Sequence, residues 1–412
     1  MRNLKRHVSV DEALKRLFNS LGDAGLGYET VLLKEALGRV LADDIHSPMD
    51  MPPHHRAAMD GYAVKAEDTS KASSANPVML KLVGEIAIGS LPKVDVRSGE
   101  AVSAATGSYM PAGANAVVMV ENAKTEGEMV EVVAPVTPWK NVSRVGEDLS
   151  RGQMVLEAGP KLRPQDIGML SGLGIVEVNV VRKPVVAVIS TGDELVRSGE
   201  ELKPGKTYDV NGLGVASMVA DCGAIPLDLG IAIDREDKIR EKLEEGVAKA
   251  DGIIISAGSS VGKNDIVPEI VNHLGHPGVL VHGVAIRPGS PTGLAVVNGK
   301  AILILPGYPV AAIVAFHVFG RPLVAKLCKT KPDPQPKVRA KMKRGVTSER
   351  GIANFVRVRL QQEENNFVAE PIHGGSSVLS SLTSANGLLI IPEERERVEE
   401  GEEVEVTLLR PV

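Results

Sequence analysis

The sequence GIIISAGSSVGKNDIVPEIVNHL, residues 252–274, decides the fold class of this 412-residue chain. It opens with a short apolar run, continues through a loop rich in glycine and serine, and ends in a stretch with helical spacing. An apolar run without polar alternation is typical of a parallel strand that is buried on both faces. We therefore predict a strand at 252–256 followed by a helix at 264–274.

The same pattern recurs on both sides of this stretch. Further apolar strands are predicted at 185–190, 226–231 and 301–305, and further helices at 211–221, 235–249 and 309–328. Alternating strands and helices indicate a mostly parallel sheet with helices on both faces. We assign residues 183–330 to this three-layer α/β domain, with Asp234 and Asp237 interpreted as a capping pair for its second helix.

The residues before the α/β domain predict a helical domain with a smaller domain inserted into it. Residues 9–21 have helical spacing, with Ser9 as N-cap and Glu12 three residues later, and a second helix is predicted at 32–42. Pro164 to Asp166 open a further helix. The helical N-terminal domain is therefore predicted to comprise residues 1–46 and 141–182.

Two β-rich domains complete the predicted multidomain α/β architecture. Short β-rich runs separated by glycine and proline turns lie at 78–83, 101–104, 116–120 and 129–133. They predict a small inserted β-rich domain at 47–140. After a proline-rich linker, strands are predicted at 355–360, 367–370, 388–391 and 404–409, which indicates a C-terminal β domain at 331–412.

Composition argues against several classes of protein. A net charge of −5 and only 3% aromatic residues disfavour a nucleic-acid partner. Two cysteines are too few for a disulfide framework or a cysteine-rich zinc site. The first 20 residues lack an apolar signal core, and no segment reaches the ~20 apolar residues that span a bilayer. We expect a cytoplasmic protein without a membrane partner.

The chemistry is expected where the parallel strands end, because ligands of open α/β sheets bind beyond the carboxyl ends of the strands. Three segments follow such ends: 191–194, 257–265 and 306–309. The second is informative, because its glycines and serines expose backbone N–H groups that can hold an anion. In that segment Asp265 either binds Mg²⁺ or caps the following helix. In the first segment, 191–194, Glu194 either faces the crevice or is a solvated turn residue. Alone, the pattern indicates only a phosphate or oxyanion site.

Two further segments carry polar residues between glycines. Asp60 precedes Gly61 in a loop that also contains His54 and His55, and Thr106 lies in a second glycine-rich turn. No third ligand stands at a zinc-like spacing from the two histidines, so an ordinary loop is the favoured interpretation. Asp60 is compatible with both a turn and a functional role.

Together these segments resemble the molybdopterin molybdenumtransferase family, which includes the E domain of gephyrin. The matching strings occur in the family's order over about 330 residues. They are Met59-Asp60-Gly61-Tyr62-Ala63, Thr106-Gly107 with Pro111, Gly146-Glu147-Asp148, Ser190 to Leu195, Asn211-Gly212, Gly258 to Asp265, Pro288-Gly289, Leu305-Pro306-Gly307 with Pro309, and Gly375-Ser376-Ser377. The resemblance implies transfer of molybdate (or tungstate) onto adenylylated molybdopterin, with release of AMP and with Mg²⁺ present.

The resemblance also implies roles for individual residues. Asp60, Glu194 and Asp265 would be catalytic, and Glu194 and Asp265 would bind the metal. The residues implied to bind substrate are Thr106, Asp148, Asp234, Gly258, Ser259, Ser260, Gly262, Arg287, Pro306, Gly307, Pro309, Arg357 and Ser376. The family fold is a homodimer with its active site between subunits, so that Arg357 and Ser376 could act in trans.

The chain departs from the family pattern in places. Gly283, Arg287 and Ser290 stand where the family usually has three lysines, and Tyr308 stands where it often has asparagine. Two alternatives stay open: a molybdopterin adenylyltransferase, which assays of AMP transfer from ATP would reveal, and a dimeric scaffold without chemistry. The domains at both ends disfavour the first alternative, and the retained carboxylates disfavour the second.

Overall fold

The computed structural model describes residues 7–22, 26–257, 266–363 and 366–411. Its central element is a six-stranded sheet. The strands, in spatial order, are Ile225–Ala232, Val185–Thr191, Gly252–Ala257, Lys300–Pro306, Gly293–Val297 and Pro277–His282. The first four strands are parallel, and they confirm the four predicted strands. The last two strands are antiparallel and were not predicted, because glycine and proline interrupt the apolar pattern there.

Helices cover both faces of this sheet, which confirms the predicted three layers. One face packs against Val10–Leu21, Asn211–Asp221 and the helix that starts at Pro309, and the other packs against Glu236–Lys249 and Val267–Leu274. Side chains of successive strand residues alternate between the two cores, as the two-residue period of a strand requires. Asp234 and Asp237 do not cap Glu236–Lys249, because Arg235 is the N-cap and no side chain caps it.

The opening helix, which was predicted as part of the N-terminal domain, packs against this sheet. Ser9 is its N-cap, as predicted, and accepts a hydrogen bond from the backbone N–H of Glu12 (3.4 Å). Ala13, Leu17 and Leu21 are buried in the core of the α/β domain. The apolar face of the helix therefore closes one side of the sheet. The domain boundaries themselves stay predictions.

The predicted helix at 32–42 is wrong. The chain forms the strand Tyr28–Leu32 and one 3₁₀ turn, Leu33–Glu35. The strand pairs with Glu177–Val181, and the paired residues Thr30 and Asn179 are 149 positions apart in the sequence. A local sequence pattern does not reveal so distant a partner. The predicted helix at 164 is confirmed as Pro164–Gly172, where Asp166 accepts hydrogen bonds from Arg163. The strands Ile45–His46 and Met154–Leu156 pair nearby.

The inserted domain is a six-stranded sheet. Its strands, in spatial order, are Ala116–Met119, Gly61–Val64, Glu100–Ala104, Val78–Ile86, Met129–Val132 and Ala123–Glu126. Four of them confirm the predicted runs, whereas Gly61–Val64 and Ala123–Glu126 were missed. Its short elements are Arg56–Ala57 paired with Val142–Ser143, and the 3₁₀ turns Ala66–Thr69 and Val120–Asn122.

The C-terminal domain is a closed five-stranded barrel. Its strands, in order around the ring, are Ala353–Glu363, Asn366–Pro371, Lys337–Met342, Glu403–Leu408 and Gly387–Ile391, and the last pairs with the first. All of these except Lys337–Met342 were predicted. The remaining elements are Ile286–Arg287 beside Ala353–Glu363, Val346–Thr347 paired with Arg397–Val398, and the helix Ser380–Ser384.

One helix of the α/β domain is unusually apolar. Pro309–Leu327 has 19 residues and a mean hydropathy of 1.6, so that by length and composition it could cross a membrane, contrary to the expectation from the sequence. In the structure 67% of it is buried, and Phe316 and Phe319 lie in the core of the sheet. A π-helical turn, Phe316–Gly320, interrupts it. At Gly320 a Cβ atom would lie 2.5 Å from the Phe316 ring, so only glycine fits.

Candidate functional site

A cavity of about 950 Å³ opens at the carboxyl edge of the parallel strands. Thr191, Ser256 and Ala257 line it from two strand ends, and Gly307 lines it just beyond a third. Its other described lining residues are Glu194, Leu195, Thr207, Tyr208, Asp209, Val210, Asn211, Asp234, Ile239, Ile266, Val267, Tyr308, Pro309, Ser377 and Leu379. The cavity lies where the strand topology predicted a ligand site.

The charged groups on this lining are carboxylates. Glu194, Asp209 and Asp234 line the cavity, and none of its described lining residues is lysine or arginine. Burial raises the pKa of Asp234, and the neighbouring Asp193 and Glu194 carboxylates raise it further. The hydroxyl of Thr191 donates a hydrogen bond to Asp234 and opposes part of this shift. Burial and the neighbouring carboxylates thus favour the protonated form of Asp234.

A tight turn brings these acids together. Asp193 Oδ1 accepts a hydrogen bond from the backbone N–H of Asp234 (3.0 Å), which ties the turn after one strand to the turn after its neighbour. Gly192 has a φ of 153°, and a Cβ atom there would lie 2.7 Å from the Glu194 carboxylate. A side chain at position 192 would therefore displace Glu194 from the crevice.

Two helices begin at the cavity, and their N-terminal ends place partial positive charge there, which favours an anion. Asn211–Asp221 starts at the lining residue Asn211, whose Nδ2 donates to the backbone oxygen of Gly307 (2.8 Å). The helix that starts at Pro309 begins two residues beyond Gly307. The two helix starts are thereby bonded to each other. The positive ends of both helix dipoles offset part of the repulsion between the carboxylates and an anionic ligand.

The C-terminal barrel contributes a loop to the same cavity. Ser377 and Leu379 line the cavity, and the backbone oxygen of Ser376 accepts a hydrogen bond from Val310 N–H of the same chain (3.1 Å). Within this chain Ser376 therefore contacts the α/β domain in cis, whereas the resemblance suggested a role in trans.

Arg357 supports this loop from behind. Its side chain is buried, with 8% exposed, and donates to Ser381 Oγ (2.5 Å) and to the Gly374 backbone oxygen (2.6 Å). Its Nε has no hydrogen-bond partner among the described residues. Arg357 is not one of the lining residues, so the structure gives it contacts with the loop and none with the cavity.

Asp60 and Thr106 lie together in the inserted domain, away from the described lining. The Asp60 carboxylate accepts hydrogen bonds from Thr106 N–H (2.7 Å) and Thr106 Oγ1 (2.8 Å), and these bonds lower the pKa of Asp60. Nearby, His54 stacks on Tyr109 with ring centroids 3.4 Å apart, and His55 Nδ1 accepts from Val145 N–H. The two histidines thus have structural contacts.

The other predicted site residues are dispersed. Arg287 forms an ion pair with Glu349 (2.8 Å) on an exposed surface, and the backbone N–H of Asp148 donates to Met51. Pro306 ends its strand as a buried residue beside the cavity. Gly258, Ser259, Ser260, Gly262 and Asp265 lie outside the described residues. Among the described residues no three His, Cys, Asp or Glu side chains form a group that could hold a metal.

Sequence reasoning missed several lining residues. Thr191 lay in the predicted segment 191–194 but was not named as a site residue, and Ser256 is the last residue of the predicted strand 252–256, so the strand-end rule alone could have found both. Tyr208 and Asp209 lacked such a signal. They reach the cavity because Thr207–Tyr208 pairs with Leu195–Val196, two short strands in a segment with no periodicity. Tyr308 lay in the predicted segment 306–309 but was singled out only as a departure from a motif.

Comparison with known proteins agrees with this architecture. Residues 8–174 match the model of the MoeA N-terminal region (domains I and II), residues 187–326 that of a probable molybdopterin binding domain, and residues 339–409 that of the MoeA C-terminal region (domain IV).

Full-length relatives agree as well. A putative molybdopterin biosynthesis protein of Methanocaldococcus jannaschii is 37% identical, with 100% of both chains covered. A molybdopterin molybdenumtransferase of Bacillus subtilis is 33% identical, covering 98% of this chain and 94% of that protein. The crystal structure of the molybdopterin biosynthesis MoeA protein of Pyrococcus horikoshii OT3 is 37% identical, with a TM-score of 0.83 over 98% of this chain and 100% of that one. With its four-part architecture and its crevice at the carboxyl edge of the sheet, this chain belongs to the MoeA family of molybdopterin biosynthesis proteins.

Proposed function

We propose that this chain transfers molybdate (or tungstate) onto adenylylated molybdopterin and releases AMP, the last step of molybdenum cofactor biosynthesis. The observation that carries the proposal is the cavity at the carboxyl edge of the sheet, with Glu194 and Asp234 on its lining and two helix starts at its wall. Relatives that cover nearly the whole chain are named molybdopterin molybdenumtransferases. Both reactants are anions, so a site that gathers them needs helix dipoles and cations.

A divalent cation, Mg²⁺, fits the residues at this site. Carboxylate oxygens are the ligands that Mg²⁺ takes from proteins, and one or two of them suffice when substrate phosphates complete the shell. Glu194 and, by resemblance, Asp265 would hold the ion. Burial raises the pKa of Asp234, and the neighbouring Asp193 and Glu194 carboxylates raise it further, so the crevice carries negative charge that a cation would offset. When bound, the cation supplies positive charge beside the phosphate oxygens of the substrate.

The remaining residues of the cavity bind and orient. The positive ends of the helix dipoles at Asn211 and Pro309 attract substrate oxygens. Burial raises the pKa of Asp234, which suits this carboxyl to proton transfer as an oxo group leaves molybdate, and Thr191 orients the carboxyl by a hydrogen bond. Gly307 and Pro309 form the rigid turn against which the substrate rests.

We further propose that the protein is a cytoplasmic homodimer without nucleic-acid or membrane partners, and that each site is shared between subunits. Asp60 and Thr106 are exposed and bonded to each other, and their own chain's cavity has no described lining residue from the inserted domain. A second subunit would bring this pair to the cavity. The family resemblance supports the same arrangement.

The activity is tested by molybdate-dependent release of AMP from adenylylated molybdopterin. Glu194→Gln should lower kcat by at least about tenfold, because the loss of one site charge removes about 1.4 kcal/mol or more of stabilisation. Glu201→Gln is the matched control, since Glu201 is exposed on the same connection and does not line the cavity. Wild-type protein that releases no AMP would refute the proposed reaction, and full activity of Glu194→Gln would refute the role of Glu194.

Sharing of the site is tested by mixing two inactive variants. After subunit exchange, Asp60→Ala and Glu194→Gln form mixed dimers in which one of two shared sites is intact, so that about a quarter of wild-type activity returns. If both residues serve the same chain's site, every mixed dimer stays inactive. Sedimentation of each variant checks that both assemble as the wild type does.

A further inference from the structure

Two tyrosine rings stand on the lining of the cavity. Tyr308 is 53% exposed and Tyr208 is 40% exposed, although each contributes to a concave wall. Aromatic residues make up only 3% of the chain, and five of them are tyrosines. Two of these five thus lie on the lining of one cavity, and each has a large exposed fraction. Large aromatic side chains left exposed in a cleft are typical of ligand recognition.

Both tyrosines are attached to backbone that is held in place. Tyr308 lies between Gly307 and Pro309, and the residue before a proline is restricted to extended backbone, as its φ of −72° and ψ of 127° confirm. Its backbone oxygen accepts the hydrogen bond of Ala312 N–H (2.9 Å). Tyr208 is held by its strand partner Val196 and by its hydroxyl, which donates to the Glu200 backbone oxygen (3.1 Å).

The neighbours of the two rings suit a flat apolar group. Leu195, Ile266 and Leu379 line the same cavity. The Tyr208 hydroxyl is already bonded to protein, so what this side chain offers to a ligand is the face of its ring. A ring face recognises another planar ring by stacking, and each such stack contributes about 1–3 kcal/mol when measured by truncation to alanine.

We propose that Tyr208 and Tyr308 bind the planar nitrogen heterocycle of a phosphate-bearing substrate by stacking. The positive ends of the two helix dipoles attract its phosphate oxygens. This inference deepens the proposed function and rests on it for the identity of the substrate, but ring binding can be measured without any turnover. It assigns Tyr308, which replaces an asparagine of the motif, a role in recognising the ring.

Binding is tested by calorimetric titration with three probes: AMP, neopterin and ribose 5-phosphate. AMP carries a purine ring and a phosphate, neopterin carries a pterin ring, and ribose 5-phosphate carries the sugar and phosphate without an aromatic ring. Wild-type protein should bind AMP or neopterin more tightly than ribose 5-phosphate. Tyr208→Ala and Tyr308→Ala should each weaken binding of that ring compound by about 5- to 100-fold and leave ribose 5-phosphate within about twofold.

Two further variants separate stacking from general damage. Tyr308→Phe keeps the ring and should bind within about twofold of the wild type. Tyr28→Ala removes a tyrosine that is 60% exposed outside the cavity, and it should change nothing. The inference is overturned if neither ring compound binds more tightly than ribose 5-phosphate, or if both alanine variants bind the ring compounds as the wild type does. A protein that binds rings but releases no AMP from adenylylated molybdopterin would refute the proposed reaction alone.

Discussion

Arg357→Ala separates a residue that touches substrate from one that positions a loop. The guanidinium donates two hydrogen bonds to the 374–381 loop, to the Gly374 oxygen and to Ser381 Oγ. Bonds that involve a charged group contribute about 1.5–3 kcal/mol each, and the unpartnered buried Nε costs about 1–3 kcal/mol, which alanine would relieve. We therefore expect the free energy of unfolding to fall by about 2–3 kcal/mol.

The same change should alter substrate binding more than turnover. Ser377 and Leu379 of this loop line the cavity, so a loosened loop raises KM while kcat changes little. Urea unfolding and steady-state AMP release measure the two effects. Arg359→Ala, on the same strand but exposed, is the control and should stay within about 0.5 kcal/mol. If Arg357→Ala lowers kcat while stability and KM stay at wild-type values, Arg357 acts on the reacting groups and the reasoning fails.

Three further outcomes are expected. Burial lowers the pKa of His317 from 6.5 to about 4. Between pH 6.5 and pH 4 the folded state therefore binds fewer protons than the unfolded state, and the free energy of unfolding falls by about 3 kcal/mol as the pH falls through this range. Unfolding curves of His317→Asn should lack this decrease, and equal pH slopes for the variant and the wild type would contradict it. Hydrogen bonds from Arg163 lower the pKa of Asp166 below its usual 3.8, so Asp166→Ala should cost about 1 kcal/mol at pH 7, and the difference should vanish as pH falls below that value. A Cβ atom at Gly212 would press on the Asp209 carboxylate at the cavity wall, so Gly212→Ala should raise KM while unfolding changes by less than about 1 kcal/mol; an unchanged KM would show that Asp209 moves freely.

The fold of the α/β domain could be predicted because its pattern is local. Most parallel strands are nearly continuous apolar runs, with Asp228 the exception inside Ile225–Ala232, and Asn211–Asp221 begins and ends where the periodicity predicted. The strand Tyr28–Leu32 was missed for two reasons. Its partner, Glu177–Val181, lies far along the chain, and its own sequence shows only a weak alternation of polar and apolar residues. The free energy that a strand gains by pairing with a distant segment cannot be predicted from its local sequence.

Only the part of the site that lies at the ends of the parallel strands could be predicted from the sequence. Glu194 and Gly307 follow strand ends directly and line the cavity, as expected. Asp234 was interpreted as a possible cap, yet it faces Asp193 and Glu194 because two turns meet at one sheet edge. The loop that carries Ser377 comes from a different domain, and its arrival at Val310 depends on how the barrel packs on the sheet. Tertiary contacts of this kind leave no local trace in the sequence.

The charge of the crevice decides how it can hold two anions. Its described lining carries Glu194, Asp209 and Asp234 and no lysine or arginine, and helix dipoles equivalent to about half a charge each offset only part of that excess. Elsewhere in the chain, Gly283 and Ser290 stand where the resemblance to the family pattern implies lysines, and Arg287 is paired with Glu349. With fewer lysine and arginine side chains, the site depends more on a bound metal cation to balance the charge of its anionic ligands. Omission of Mg²⁺ should therefore abolish AMP binding as well as turnover, whereas Glu194→Gln, with one charge fewer, should bind AMP with a weaker dependence on Mg²⁺. Equal AMP affinity of the wild type with Mg²⁺ and with excess chelator would mean that some other cation of the protein balances the carboxylates.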